Sequence, residues 1–225
     1  LDEEQPDYIC VAFDMKAPTF RHLKYEDYKA KRKGMPEELA VQVPIIKDVL
    51  DAMNIKRLEV EGYEADDILG SLSLCAEKQG MQVIIITGDR DALQLVSSLT
   101  RVKIPTTRGG KNLTDEYDYN AFVEKFGILP EQFIDVKGLM GDQSDNIPGV
   151  PGIGEKTALS LIKQFGSIEK IYEHIDEVER KSIRQKLEDN RELAFMSKKL
   201  ATIERNMPCS SNMEDYKRKP FDSEK

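Results

Sequence analysis

The sequence predicts an α/β fold, a mostly parallel central sheet flanked by helices, followed by a helical subdomain. Three observations carry this. YICVAF (8–13) and QVIIIT (82–87) are apolar, β-branched runs of strand length, and the VIII core of the second suits a strand covered on both faces. Segments with helical periodicity alternate with them, the order of an α/β sheet. From Pro130 onward strand patterns stop, and two helical segments flank a glycine- and proline-rich run, GDQSDNIPGVPGIG (141–154).

Each element has a local reason. Asp14 closes the first strand, and ligands gather at the carboxyl ends of strands in open α/β sheets. Pro36-Glu37-Glu38 places proline and acids in a first helical turn. Leu39, Val43, Ile46, Val49 and Leu50 continue it as an apolar stripe that ends near Asn54. KRLEVE (56–61) alternates like a short strand. A helix from Glu64 to about Gln79 follows, with Gly80 as its C-terminal cap and Ile68, Leu69, Leu72 and Cys75 as its packing face. After the second strand, Gly88 makes a tight exit, 92–96 reads as a short helix, 101–105 as a strand and RGGKN as a turn. Helices are predicted over 118–126, stopped by Gly127, and from Pro130 through Met140. EKTALSLIKQFG (155–166) is amphipathic. Beyond it come IEKIYEHI and one long helix from about Glu179 to Glu204. The expected organisation is a core over 1–130 with a basic insertion at about 16–36, a helical region over 131–205, and a polar linker or tail over 206–225.

A length of 225 residues suits one large domain, or one domain with a small appendage. No apolar run approaches the roughly 20 residues a membrane span needs, and no signal or transit pattern opens the sequence, so no membrane partner is expected. Cys10, Cys75 and Cys209 are widely spaced and form no CxxC; reduced, structural cysteines in a cytoplasmic protein are the reading. With only His22 and His174, a histidine-rich zinc site is not expected. The net charge of −8 opposes a nucleic-acid partner only if the acids are spread over the surface.

The acids are instead grouped. Glu64, Asp66 and Asp67 lie in EGYEADDILG, Asp89 and Asp91 in TGDRD, Asp142 and Asp145 in MGDQSDN, and Asp14 ends VAFD. A helix start favours acid and would account for one or two of the first group. It does not account for acid pairs recurring after other elements. On a helix, Glu64 and Asp67 share a face, while Asp66 is turned away by about 100°. Like charges brought together need a cation, and hard divalent ions take a few carboxylates with water completing the shell. A carboxylate site for two or more such ions is one reading; turns and caps, which also attract acids, are the other.

Two further stretches point to nucleic acid. In APTFRHLKYEDYKAKRKGMP, the basic residues Arg21, His22, Lys24, Lys29, Lys31, Arg32 and Lys33 interleave with Phe20, Tyr25 and Tyr28. Charge runs usually form a solvated helical face, but cations mixed with aromatics also suit a single strand, with phosphates on the cations and bases on the rings. In GVPGIG, Gly149, Gly152 and Gly154 would let backbone N–H groups approach an anion, with Lys156 and Thr157 adding donors at the next helix start. A tight helix–helix turn is the alternative. No GxxxxGK[ST] occurs.

Taken together, AFD, YKAKR, EGYEADD, TGDRDALQLV and LMGDQSDNIPGVPGIGEKTA, in this order, resemble the 5′ nuclease domains of bacterial DNA polymerases I, members of the flap endonuclease (5′–3′ exonuclease) family. The similarity runs from about Tyr8 to Phe165. It implies a PIN-like nuclease fold with a helix–three-turn–helix subdomain, and cleavage of branched DNA near 5′ ends for primer and flap removal in replication and repair. It implies Mg²⁺ or Mn²⁺, two or more ions, with Asp14, Glu64, Asp66 and Asp67 on the first-metal side. Asp89 and Asp91 fall between, and Asp142 and Asp145 on the second side. The basic segment corresponds to the family's arch, with Lys29 and Arg32 as its catalytic phosphate-contacting pair and Tyr28 as a stacking aromatic. Arg21 joins the DNA contacts, as do Gly149, Gly152, Gly154, Lys156 and Thr157 of the glycine hairpin, where the family holds duplex phosphates together with a monovalent cation such as K⁺. The expected partners are 5′ flaps, nicked or gapped duplexes and RNA-primed ends, with a covalently linked polymerase domain and a monomeric state. The family also opens on a strand of the form LIDGN with a further aspartate ligand, and these 225 residues contain no such segment. Two rivals follow: a DNA-binding scaffold without catalysis, and a small-molecule phosphatase or phosphotransferase with aspartates after its strands, which would have no use for the arch or the hairpin.

Overall fold

The computed structural model describes residues 3–208 and 212–221, so Cys209 lies outside the described residues. Its contacts divide the chain into two units, one of 1–23, 33–76 and 204–225, the other of 24–32 and 77–203.

In the first unit, β1 (Cys10–Ala12) pairs in parallel with β2 (Lys56–Leu58), Val11 opposite Arg57. Between them come α1 (Phe20–Lys24), α2 (Glu37–Ala40) and α3 (Gln42–Ala52). The single helix expected after Pro36 is two, because Pro44 has no N–H to return to the Ala40 carbonyl and the chain restarts at Val41. The stripe expected to pack is largely open: Ile46 and Val49 are exposed, and no residue of α3 is buried. After β2, α4 (Ala65–Glu77) buries Ile68 and Leu72. Residues 212–221, within the stretch expected as a polar linker or tail, pack on the rest of the first unit. Met213 and Tyr216 are buried, Tyr8 bridges to Lys217, and the Asn54 amide donates to the Pro220 carbonyl at 2.6 Å.

In the second unit, β3 (Val83–Ile86) pairs in parallel with β4 (Thr100–Arg108), and β4 pairs antiparallel with β5 (Lys111–Tyr117). Among the described residues the hydrogen-bonded strand orders are β1-β2 in the first unit and β3-β4-β5 in the second, parallel except for the edge strand β5. The hairpin closes on Gly109 and Gly110, both at positive φ, as a two-residue turn between twisted strands requires. Sequence patterning found the turn but missed β5, whose exposed, polar KNLTDEY has no apolar alternation.

The helices follow as α5 (Tyr119–Phe126), α6 (Phe133–Met140), α7 (Glu155–Phe165), α8 (Ile168–Glu173), α9 (Lys181–Asp189) and α10 (Arg191–Ala201). The one long helix expected over 179–204 is α9 and α10. Asn190, at φ −127° and ψ 28°, leaves the helical region and turns its amide back to the Lys186 carbonyl at 2.9 Å. The core of this unit is built on Phe122, Phe126 and Phe133, with ring centroids 4.7 to 5.7 Å apart, and on Val102, Leu93, Val136 and Leu139, all fully buried.

The loop from α6 to α7 depends on close backbone contact. Gly149 sits at φ +62°, and a Cβ there would meet the Met140 carbonyl carbon at 2.6 Å and Gly141 Cα at 2.8 Å. Gly154 has open space and an ordinary φ. Gly149→Ala should therefore destabilise by about 2–3 kcal/mol, through overpacking against backbone that cannot yield. Gly154→Ala should stay within about 0.5 kcal/mol of the parent. Urea midpoints of the two variants test this, and equal midpoints would contradict it.

Candidate metal centre and nucleic-acid interface

The carboxylates of the first unit do different jobs. Asp14, just past β1, is exposed and accepts the Ala65 N–H at 2.7 Å at the first turn of α4. Asp66 is half-buried. Asp67 is 0% exposed, and each of its oxygens already has two donors. Oδ1 takes Arg21 Nη2 at 2.7 Å and the Glu204 N–H at 2.8 Å; Oδ2 takes Arg21 Nη1 at 2.7 Å and the Glu64 N–H at 2.9 Å. Arg21 Nη1 also lies 3.5 Å from Glu64 Oε2, and its guanidinium covers the Phe20 ring. Arg21 is itself only 3% exposed. This corrects two expectations. Arg21 is a buried counter-ion rather than a surface contact for DNA, and Asp67 ties α4 to its surroundings with no lone pair directed to a metal. Asp14, Glu64 and Asp66 are the remaining expected metal ligands of this unit.

In the second unit, Asp89 and Asp91 follow β3. Asp89 caps the short 3₁₀ turn Arg90–Leu95 by accepting the Asp91 N–H at 2.9 Å. Asp142 and Asp145 lie on the loop after α6. Asp142 accepts the Ser144 N–H at 2.7 Å and the Ser144 hydroxyl at 2.6 Å. A residue the sequence reading passed over joins these segments. Lys137, projecting from α6 with a side chain only 6% exposed, places its ammonium 2.6 Å from Asp91 Oδ1 and in contact with Asp142 Oδ2.

The electrostatics follow from this bridge. Burial pushes the Asp91 carboxyl up to about 6; Lys137 opposes the rise, and the Asp89 and Asp142 carboxylates add to it. Burial acts upward on Asp142 too, but the hydrogen bonds from Lys137 and Ser144 outweigh it and hold the group at about 2. Lys137 is raised against the opposing effect of burial by the same two carboxylates.

Asp145 has its own cations. Arg32 Nη2 contacts Oδ1, Lys29 Nζ is 3.8 Å from Oδ2, and the Tyr28 hydroxyl donates to Oδ2 at 3.2 Å. The Lys29 N–H donates to the Asp145 carbonyl, and the Asn146 amide to the Asp27 carbonyl, so residues 27–32 are stitched to this loop. Tyr28 is 3% exposed and packs with Ile147, Leu200 and Ala201. The ring expected to stack on a base is a core residue here. Lys29 and Arg32, expected at phosphate, are paired with an expected metal ligand.

The glycine hairpin is partly engaged as well. The Gly149 N–H donates to the buried Ser197 hydroxyl at 2.9 Å, and Lys186 donates to the Gly152 carbonyl at 3.1 Å. This narrows the anion-facing backbone to Gly152 and the exposed Gly154–Lys156 stretch, where Gly154 caps α7; Ile153 is buried and Thr157 half-buried. Beside it, a cleft of about 560 Å³ is lined by Arg90, Arg108, Lys125 and Lys156, together with Asp115 and Glu155. A helix start with cations around it suits phosphate.

Among the described residues, no three histidine, cysteine or acidic side chains converge as a formed metal cage. The donor set nonetheless fits a hard divalent cation, because it is all carboxylate oxygen and a protein ammonium already sits between two of its members.

Two family models cover the chain. One, described as a 5′-3′ exonuclease N-terminal resolvase-like domain, matches residues 1–127; the other, a 5′-3′ exonuclease C-terminal SAM fold, matches 128–224. The chain is 48% identical over 224 residues to DNA polymerase I of Bacillus subtilis and 46% identical over 225 residues to that of Caldicellulosiruptor bescii. These alignments take in 100% of this chain but only 25% and 26% of the relatives, so it spans about a quarter of their length. Among solved structures, T5 5′-exonuclease with bound zinc superposes with a TM-score of 0.72 at 26% identity, covering 90% of this chain and 77% of the other. A T5 flap endonuclease complex with DNA and metal ions gives 0.72 at 25% identity, with 91% and 76% covered. The catalytic core of Rad2 with DNA, at 16% identity and a TM-score of 0.58 over 93% and 66%, shows a shared fold alone.

The Arg21–Asp67 pair gives a direct test of placement. Arg21→Ala leaves a fully buried carboxylate without its guanidinium and should cost about 3–5 kcal/mol of stability, read by urea denaturation without DNA. A variant as stable as the parent, weakened only in DNA binding, would return Arg21 to the DNA surface.

Proposed function

Because the chain belongs to the 5′–3′ exonuclease family, we propose that it is a structure-specific nuclease domain hydrolysing DNA phosphodiesters near 5′ ends and flaps. The observation that carries this reading is the gathering of Asp91, Asp142 and Asp145 with Lys137, Lys29 and Arg32 in one unit. A phosphodiester is anionic, and its hydrolysis needs both cation-holding carboxylates and cations for the phosphate. The scaffold reading has no use for the grouped carboxylates, and the phosphatase reading has none for the basic arch segment or the glycine hairpin.

Asp89, Asp91, Asp142 and Asp145 would hold divalent ions in the second unit, and Asp14, Glu64 and Asp66 in the first; Mg²⁺ or Mn²⁺ is the natural choice for oxygen donors. When bound, such ions supply Lewis acidity and an activated water. The chain's own part is positioning and charge. Asp67 fixes the start of α4 and so the backbone that carries Glu64 and Asp66. Lys29 and Arg32, on leaving Asp145, offer two cations to the phosphate, whose charge builds in the transition state. Gly152, Gly154, Lys156 and Thr157 hold the duplex by its phosphates, with K⁺ as the accompanying monovalent ion. No side-chain nucleophile is required.

The setting is part of the same proposal. The substrates are flaps, nicks, gaps and RNA-primed ends met in replication and repair, and the domain is joined to a polymerase and acts as a cytoplasmic monomer. The nuclease core covers about 1–130 and the DNA-gripping helical region about 131–205.

The test is cleavage of a 5′-labelled flap duplex in Mg²⁺. Asp89→Asn and Asp142→Asn should each lower the rate at least about a hundredfold while the far-ultraviolet spectrum stays unchanged, since each removes charge from the cation site. Lys29→Ala should slow cleavage more than it weakens duplex binding. Near-parental rates in the aspartate variants, or DNA binding with no metal-dependent cleavage in the parent, would favour the scaffold.

A further inference from the structure

Lys137 has a second consequence, which rests on the metal reading above. α6 cannot shift to accommodate it. Val136 and Leu139 are 0% exposed, and Gly138 is so closely packed that a Cβ there would meet Ile168 Cδ1 at 2.7 Å and Lys198 Cβ at 2.9 Å. The ammonium is therefore delivered to Asp91 and Asp142 from a fixed backbone, and only the side chain is able to leave. The two carboxylates come from distant segments, after β3 and after α6, and their mutual repulsion needs a positive charge between them. Lys137 supplies that charge without any ion from solution.

We propose that Lys137 is a tethered counter-ion that competes with a divalent cation for Asp91 and Asp142. It holds the second unit's carboxylates together before metal arrives, and it weakens their affinity for metal, because the incoming ion has to displace the ammonium. A neighbouring cluster anchored on the same helix by Asp135, with Lys198 of α10 at 2.6 Å from Asp135 and 2.8 Å from Glu169 of α8, is a built-in comparison, since it holds α6 to α8 and α10 without touching any carboxylate assigned to metal. A merely structural lysine at 137 would behave as Lys198 does.

The experiment is calorimetric titration of Mn²⁺, without DNA, into the parent chain, Lys137→Met, Lys137→Gln and Lys198→Met, with melting temperatures recorded in EDTA and in saturating Mn²⁺. Expected are a melting temperature lowered in EDTA for both Lys137 variants and at least tenfold tighter Mn²⁺ binding, with a larger metal-induced rise in melting temperature than the parent shows. Lys198→Met should melt lower with parental Mn²⁺ affinity. If Lys137→Met does not fold, Lys137→Gln, which keeps a neutral hydrogen-bond donor, carries the comparison. Mn²⁺ affinity that is unchanged or weaker in the Lys137 variants overturns the proposal while leaving the carboxylates as metal ligands. A parent that takes up no Mn²⁺ sinks the metal reading and this proposal together.

Discussion

A carboxylate taken out of water needs a positive partner or a set of donors, and that requirement organises both units. In the first, Arg21 grips Asp67 with two parallel hydrogen bonds, and backbone N–H groups from Glu64 and Glu204 complete the shell. In the second, Lys137 neutralises Asp91 and Asp142, while Arg32 and Lys29 neutralise Asp145. Taking one partner from a buried pair of this kind strands a charge and costs stability.

The same requirement links stability to function. A site that receives divalent cations and an anionic strand, as we propose for this chain, is hardest to fold when it is empty, because its acids repel. Here the acids are held by lysines and arginines of the chain. A metal ion can take over from Lys137, and a phosphate can take Lys29 and Arg32 from Asp145. On the proposed reading, the divalent ions that Asp145 helps to hold replace the cations it gives up to the phosphate, so no carboxylate is left bare. Loops 88–91 and 141–146 and the stitched segment 27–32 carry the groups that this proposed exchange involves within the second unit.

Much of this was legible in the sequence. The order of strands and helices, the acid pairs in TGDRD and MGDQSDN, and the glycine hairpin were read from periodicity and residue type, because a strand end, a cap or a tight turn has a local chemical signature. Pairings across the chain have none. Asp67 and Asp66 look alike in EADD, yet one is buried on Arg21 and the other is half-buried. Tyr28 among lysines reads as a ring awaiting a base, while in the fold it packs on Ile147 and Leu200. Lys137 was passed over because a lysine in a helix usually lies in solvent; its signal was its place between the apolar Val136 and the Gly138-Leu139-Met140 run. β5 and the break at Asn190 escaped for the opposite reason, since a polar edge strand and a helical kink carry little hydrophobic pattern.

The central claim is that Lys137 and a divalent ion occupy the same place between Asp91 and Asp142. Anomalous diffraction from crystals soaked in Mn²⁺ reads this most directly. The account predicts a manganese peak within coordination distance of an Asp91 or Asp142 oxygen, with the Lys137 ammonium moved off both carboxylates. Manganese bound at those oxygens with Lys137 still bridging them, or Lys137 in place and no manganese there at saturating concentration, would contradict it.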